Sequence, residues 1–149
     1  MKHKIYKIDS NINSKDKIVK SVNILLGHLS PNGYTIDRKR FQELLGNPLL
    51  EIYLLESRGD IIGMGSLHYF ETLVKKSAWI EDVVVHPSHR RKGHGKRIIK
   101  HMISQAKKKN AKHIDLSSRN DRKESHSFYK KLKFDKRNAS VYRRKLKKK

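Results

Sequence analysis

The residues best suited to chemistry stand together in one stretch, Ile80-Glu81-Asp82-Val83-Val84-Val85-His86-Pro87-Ser88-His89-Arg90-Arg91-Lys92-Gly93-His94-Gly95-Lys96. Its second half reads R-x-x-G-x-G from Arg90 to Gly95, and Arg90, Arg91, Lys92 and Lys96 give it positive charge. Glycines without a Cβ let a phosphate come close to the main chain. The first amides of a helix have no partner within it and carry partial positive charge, so a helix beginning at such a loop is an anion site. A diphosphate is the ligand this pattern suits. The chain has neither a G-x-x-x-x-G-K-[ST] loop nor a G-x-G-x-x-G, which leaves nucleoside triphosphate and dinucleotide sites without a fingerprint. His86, His89 and His94 surround the glycines, but no cysteine or carboxylate cluster completes a ligand set. They read as exposed loop residues, and no metal is expected.

The elements needed to hold this stretch follow from its neighbours. The valine run predicts a buried strand that Pro87 stops. Ile98, Ile99, Met102, Ile103 and Ala106 share one face of a helix starting at Gly95 and running to about Lys109. Upstream, residues 3–8 suggest a first strand. A helix begins near Ser14 and buries Ile18, Val22, Leu25 and Leu26. Ser30-Pro31-Asn32-Gly33 is a turn, and Thr35 is placed to cap a second helix over Asp37–Leu45 that buries Phe41, Leu44 and Leu45. Strands are expected over Leu49–Ser57, Ile61–Glu71 and Ser77–Val85, the first two joined through Arg58-Gly59-Asp60. A strand over Lys112–Ser117 and a helix from Asp121 to Leu132 come next. Phe134–Lys136 and Val141–Leu146 then close the chain as a strand pair. The expected fold is α/β: a mixed, mostly antiparallel twisted sheet of six to seven strands flanked by about four helices, in one domain over 1–149.

Composition bounds the function. There are no cysteines, so disulfides, thiolate metal sites and a cysteine nucleophile drop out together. No apolar run approaches the length of a membrane span and the N-terminus has no apolar signal core, so a cytoplasmic location is expected. Lys and Arg number 36 against 14 Asp and Glu, for a net charge of +22. That excess attracts polyanionic ligands and supports nonspecific contact with nucleic acid, although the cations are dispersed along the chain.

Three ordered blocks carry a resemblance. The first is Glu81-Asp82-Val83-Val84-Val85 with Pro87 and Arg90-x-x-Gly93-x-Gly95. The second is Ile114-Asp115-Leu116-Ser117-Ser118-Arg119 followed by Arg122 to Tyr129. The third is Phe128-Tyr129-Lys130-Lys131-Leu132-Lys133-Phe134 with Val141-Tyr142-Arg143 after it. In content and order they resemble the GNAT N-acetyltransferase superfamily, and the resemblance covers nearly the whole chain. It departs at Lys133, where a glycine is usual, at Ser125, where alanine is usual, and at Arg122, where many members carry an asparagine near the pantetheine.

The resemblance implies direct transfer of acetyl from acetyl-CoA to a primary amine of a small molecule or protein, with no metal. It places the pantetheine and the thioester carbonyl along a splayed edge of Val83, Val84 and Val85, with backbone N–H groups as oxyanion donors. The pyrophosphate falls on Arg90, Arg91, Lys92, Gly93, His94, Gly95 and Lys96, and Arg122 lies near the pantetheine. Glu81 is the candidate base, acting through water. Asp82 is the weaker choice, because the two-residue period of a strand turns it to the opposite face. The alternative for Glu81 is a salt bridge. Tyr129 stands where the family commonly places a general acid beside the sulfur; the alternative is a packing ring. The I-E-D-V-V-V strand is also similar to that of glucosamine-6-phosphate N-acetyltransferase, which makes an aminosugar acceptor a second reading. A non-catalytic basic module that binds nucleic acid is a third. Members often dimerise, which leaves a homodimer open.

Overall fold

Three successive runs rich in apolar and β-branched residues form the centre of one sheet. The structure, a computed structural model, describes residues 3–11, 15–30 and 32–146. Ser14, Pro31 and the Lys147–Lys149 tail lie outside the described residues. The chain divides into two compact units, Met1–Ser117 and Ser118–Lys149.

The first unit runs β1 (His3–Lys7), α1 (Lys15–Leu29), α2 (Arg38–Leu45), β2 (Leu50–Ser57), β3 (Asp60–Glu71), β4 (Lys76–Val85), a short 3-10 turn at Pro87–His89, α3 (His94–Lys108) and β5 (Ile114–Leu116). The five strands pair in sequence order. All neighbours are antiparallel except β4 and β5, which are parallel and joined through α3. The β2–β3 hairpin is tighter than the expected three-residue loop, because Asp60 already pairs with Ser57. Only Arg58 and Gly59 remain in the turn, both at positive φ (53° and 84°), the backbone hand that matches strand twist. Helix α2 is capped not by Thr35 but by Asp37, whose carboxylate accepts from the Arg40 N–H at 2.7 Å. A charged oxygen two residues nearer the helix takes that donor.

Helices cover both faces of the sheet, which explains the almost unbroken burial of β3 from Ile62 to Leu67. On one face α1 and α2 bring Ile18, Val22, Leu25 and Phe41 against Leu54, Met64 and Val84. On the other face α3 buries Ile98, Ile99, Met102 and Ala106. Gly63 and Gly65 of β3 let that helix come close. A Cβ on Gly65 would lie 3.0 Å from Met102 Cε, and one on Gly63 would lie 3.0 Å from Ile98 Cδ1 and 3.2 Å from the Val84 carbonyl oxygen.

The far end of α3 is tied to the sheet by a buried carboxylate. Glu51 accepts from Tyr53 Oη (2.7 Å), Tyr69 Oη (2.9 Å) and Lys109 Nζ (2.9 Å). Burial pushes the Glu51 pKa up, but the hydrogen bonds from Tyr53, Lys109 and Tyr69 together outweigh it and hold the group below the usual carboxylate range. The same burial, with the shared bonds to Glu51, raises both phenols.

The second unit holds α4 (Lys123–Lys131). Among the described residues 133–146 contain no strand, so the sheet has five strands rather than six to seven and the expected closing pair is absent. Val141, Tyr142 and Leu146 are 85–92% exposed. Few apolar side chains alternate here with Lys136, Arg137, Arg143, Arg144 and Lys145, so the segment has little apolar surface with which to anchor a strand. The class stands: a mixed α/β sheet with helices packed on it.

Candidate active site

The parallel pairing of β4 with β5 covers only Ala78, Trp79 and Ile80. Beyond it, Glu81 to Val85 have β3 on one side and, among the described residues, no paired strand on the other. Half a strand is left with an open backbone edge, where N–H and C=O groups can receive a ligand in β fashion.

A bulge breaks β4 at the same place. Met64 pairs with Val84 and Ser66 with Glu81, so Asp82 and Val83 together oppose Gly65. Asp82 takes up the extra length at φ 54°, a left-handed conformation that aspartate tolerates better than most residues. This overturns the strict two-residue alternation read from the sequence. Glu81 shares the face of its partner Ser66, and Asp82 turns to the same side, where its Oδ2 accepts a short hydrogen bond from Ser66 Oγ. The weaker of the two carboxylate candidates therefore faces the α1–α2 layer. Glu81 is exposed, and its Oε1 accepts from the Trp79 indole at 2.7 Å.

Under the bulge lies a cavity of about 130 Å³. Its walls are Val22 and Leu26 of α1, Ile36, Phe41 and Leu44 around α2, Ile52 of β2 and Met64 of β3, with Gly65, Ser66 and Asp82 at the bulge. Asn23 fixes one wall. Its side-chain amide accepts from Ile36 N–H (2.8 Å) and donates to Ile36 C=O (3.0 Å), clamping the α1–α2 connection to α1.

From β4 the chain enters the glycine loop. Pro87 N–H is missing and a single 3-10 turn follows, after which Arg91 (φ 59°) and Gly93 (φ 78°) both adopt the left-handed region. Gly93 is the N-cap of α3 and supplies no side-chain cap. Arg97 N–H makes the helix's first bond, to Gly93 C=O at 3.1 Å, so the His94, Gly95 and Lys96 amides lie ahead of the ladder. Open space surrounds the place a Gly93 Cβ would take. These features fit a phosphate group. Two of the cations expected to meet it brace the loop instead: Arg90 Nε donates to Val85 C=O (3.0 Å) and Lys92 Nζ to Ser88 C=O (3.1 Å). Arg91 and Lys96 are exposed. His94 is not the exposed loop residue expected. Its ring is buried at 5% exposure, edge-on to His3 with centroids 4.6 Å apart. Burial first, then the nearby His3, Arg97, His89 and Lys92, lower its pKa below the usual 6.5. Only the His94 backbone remains for an anion.

The profile of the Acetyltransferase (GNAT) family matches residues 23–134. The chain belongs to the GNAT acetyltransferase family. No curated protein sequence matches it. Solved structures share its fold at low identity. An aminoglycoside acetyltransferase from an uncultured soil metagenomic sample, in complex with sisomicin, aligns with a TM-score of 0.85 at 18% identity, covering 97% of each chain. Glucosamine-6-phosphate N-acetyltransferase from Arabidopsis thaliana gives 0.79 at 24%, covering 97% of this chain and 99% of that one. Ribosomal-protein-alanine N-acetyltransferase from Brucella melitensis biovar Abortus 2308 gives 0.78 at 16%, covering 98% and 100%.

In this GNAT chain, Glu81, Val83, Val84, Val85 and the Arg90–Lys96 loop lie together in the first unit, while Tyr129 and Arg122 belong to the second. Arg122 is the exposed N-cap of α4 and offers no side-chain cap bond. The half-buried Tyr129 ring stands edge-on to Phe128 (5.2 Å) and Phe134 (5.9 Å). Ser66, Asn23 and the inward turn of Asp82 were missed by sequence reasoning. One signal for them was present: Gly63-x-Gly65 within a strand pattern marks a bulge or a close backbone approach.

Proposed function

We propose that this GNAT protein is an N-acetyltransferase that carries acetyl from acetyl-CoA to a primary amine. The observation that carries the reading is the open half of β4, bulged at Asp82 and running directly into an uncapped helix N-terminus. When bound, acetyl-CoA supplies an acetyl thioester whose carbon–sulfur bond breaks as a carbon–nitrogen bond forms, leaving an N-acetyl product and free thiol.

The residues divide the work. The Gly93, His94, Gly95 and Lys96 amides, with Arg91 and Lys96 charge, bind phosphate. The unpaired edge of Val83, Val84 and Val85 offers β-type hydrogen bonds to an amide-bearing arm and N–H donors to a carbonyl oxygen. Arg122, by its place in the family motif, is assigned to the pantetheine arm. Asp82 accepts the proton that the amine gives up, oriented by Ser66, and Glu81 relays it onward through water. Tyr129, by its place in the family motif, donates a proton to the leaving sulfur. Small-molecule amines are acceptors of two similar structures, by their names, and an alanine of a ribosomal protein of a third. We take a small amine as the acceptor here, because the cavity beside Asp82 is small, about 130 Å³.

Thermal denaturation with acetyl-CoA tests this. At a hundred-fold excess over Kd, ligand linkage stabilises by about 2.7 kcal/mol, roughly 5–10 °C for a chain of this size. A shift that persists at moderate salt is expected. One that vanishes with screening would reduce the loop to a nonspecific polyanion contact, the behaviour of a basic binding module.

A further inference from the structure

The acceptor's chemical class is written in the walls of the cavity at the β4 bulge. We infer that this cavity takes a primary ammonium on an apolar stem about the size of a benzene ring, with the nitrogen on Asp82 and the stem between α1 and α2. The inference rests on the N-acetyltransferase reading and deepens it.

Three observations converge. First, the walls facing inward are hydrocarbon: Val22, Leu26, Phe41, Leu44, Ile52 and Met64. None of the described residues lining the cavity is a lysine or arginine, despite a net charge of +22 on the chain. A phosphorylated aminosugar would find no cation here, and its hydroxyls would lose water without gaining partners. Second, the polar groups are few and sit at one end. Asp82 carries the charge, and Ser66 Oγ is already donating to it. Asp82 is solvent-exposed while lining the cavity, so its carboxylate stands at the open side, where an ammonium keeps part of its hydration. One acid at the rim of an apolar slot suits a single cation, not a polycation such as an aminoglycoside. Third, the volume of about 130 Å³ is of the order of cavities that accept benzene, roughly 150 Å³. The Asn23 clamp on Ile36 ties that wall of the cavity to α1.

Calorimetry and thiol-release kinetics together decide the matter, with n-alkylamines from propyl to octyl, benzylamine, glucosamine 6-phosphate and an alanine-terminated peptide as probes. Affinity should rise about four-fold per methylene until the slot is full and then level off. Benzylamine should exceed glucosamine 6-phosphate at least ten-fold in kcat/KM. Asp82→Asn should cost benzylamine binding ten-fold or more, while benzyl alcohol, uncharged, binds the variant and the parent alike. Leu44→Ala, at a half-buried wall, should move the length optimum upward by one or two methylenes. If acetyl-CoA stabilises the protein and the aminosugar or the peptide is the preferred acceptor, the inference is overturned and the enzyme reading survives. If acetyl-CoA gives no stabilisation but benzylamine still binds through Asp82, the inference stands and the enzyme reading fails. A flat response to chain length would also overturn it.

Discussion

Asp82 holds a backbone hand that a strand residue seldom takes, and the bulge it forms determines which carboxylate meets the cavity. Its neighbour Glu81 is occupied by the Trp79 indole and exposed. The two should therefore separate in mutagenesis. Asp82→Asn is expected to lower turnover on the order of a hundred-fold, as loss of a positioned base does, and Glu81→Gln to lower it much less. Equal losses would return the role of base to Glu81. Tyr129→Phe should reduce turnover ten-fold or more with little change in acetyl-CoA affinity, the signature of an interaction made only in the transition state. Steady-state kinetics with independent acetyl-CoA titration separates the two quantities. Unchanged turnover would make Tyr129 a packing ring between Phe128 and Phe134.

At the scale of elements, α3 joins the anion loop to the core. Its start is the uncapped Gly93 turn, its middle lies on Gly63 and Gly65, and Lys109 just past its end meets Glu51. Gly63→Ala sets a new methyl 3.2 Å from the Val84 carbonyl oxygen, a backbone atom that yields less readily than a side-chain tip. Overpacking of this kind costs about 1–3 kcal/mol. A fall in Tm of about 2–4 °C per kcal/mol is expected in thermal melts. Gly65→Ala meets the flexible end of Met102 at 3.0 Å but also the stiff Ile98 Cγ2 at 3.1 Å, so a cost in the same range is expected.

Helix α3 also carries the buried His94 and the half-buried His101, and His3 of β1 packs against His94. Burial, then nearby charge, lowers the pKa of all three. All three are held neutral in the fold more strongly than in the unfolded chain, where 6.5 is usual. Above that value neither state binds a proton and the contribution to stability is fully present. As pH falls from 6.5 toward the lowered folded values, the unfolded chain gains protons first and stability is lost. Tm should be nearly level above about pH 7 and fall below about 6.5. His94→Phe should shallow that slope, and a pH-independent Tm in the parent would contradict the assignment.

For the whole molecule the governing quantity is the charge of +22. It attracts a polyanionic acyl donor and repels an ammonium, and added salt screens both effects. The two substrates should therefore respond in opposite senses. Between about 20 and 200 mM salt, KM for acetyl-CoA is expected to rise and KM for a simple alkylamine to fall. If both rise together, the acceptor site is itself anion-seeking and the apolar-amine assignment fails. No helix among the described residues is long and apolar enough to cross a membrane.

Much of this was legible in the chain alone. The valine run, the R-x-x-G-x-G loop and the Ile98–Ile99–Met102–Ala106 stripe determine strand, turn and helix by local rules, since apolar period and glycine placement act over a few residues. The order of the three motif blocks named the family. Two things were out of reach of local pattern. The closing strand pair did not form, because 133–146 has strand-like residues but too little apolar surface among its cations. The face of Asp82 was misread, because a bulge depends on what lies opposite. Gly65 sits across from Asp82 and Val83, with Ile98 and Met102 pressed behind it, and those contacts join residues far apart in sequence. The cavity has the same origin: α1, α2, β2, β3 and β4 each give it a wall, and only their packing makes it a site.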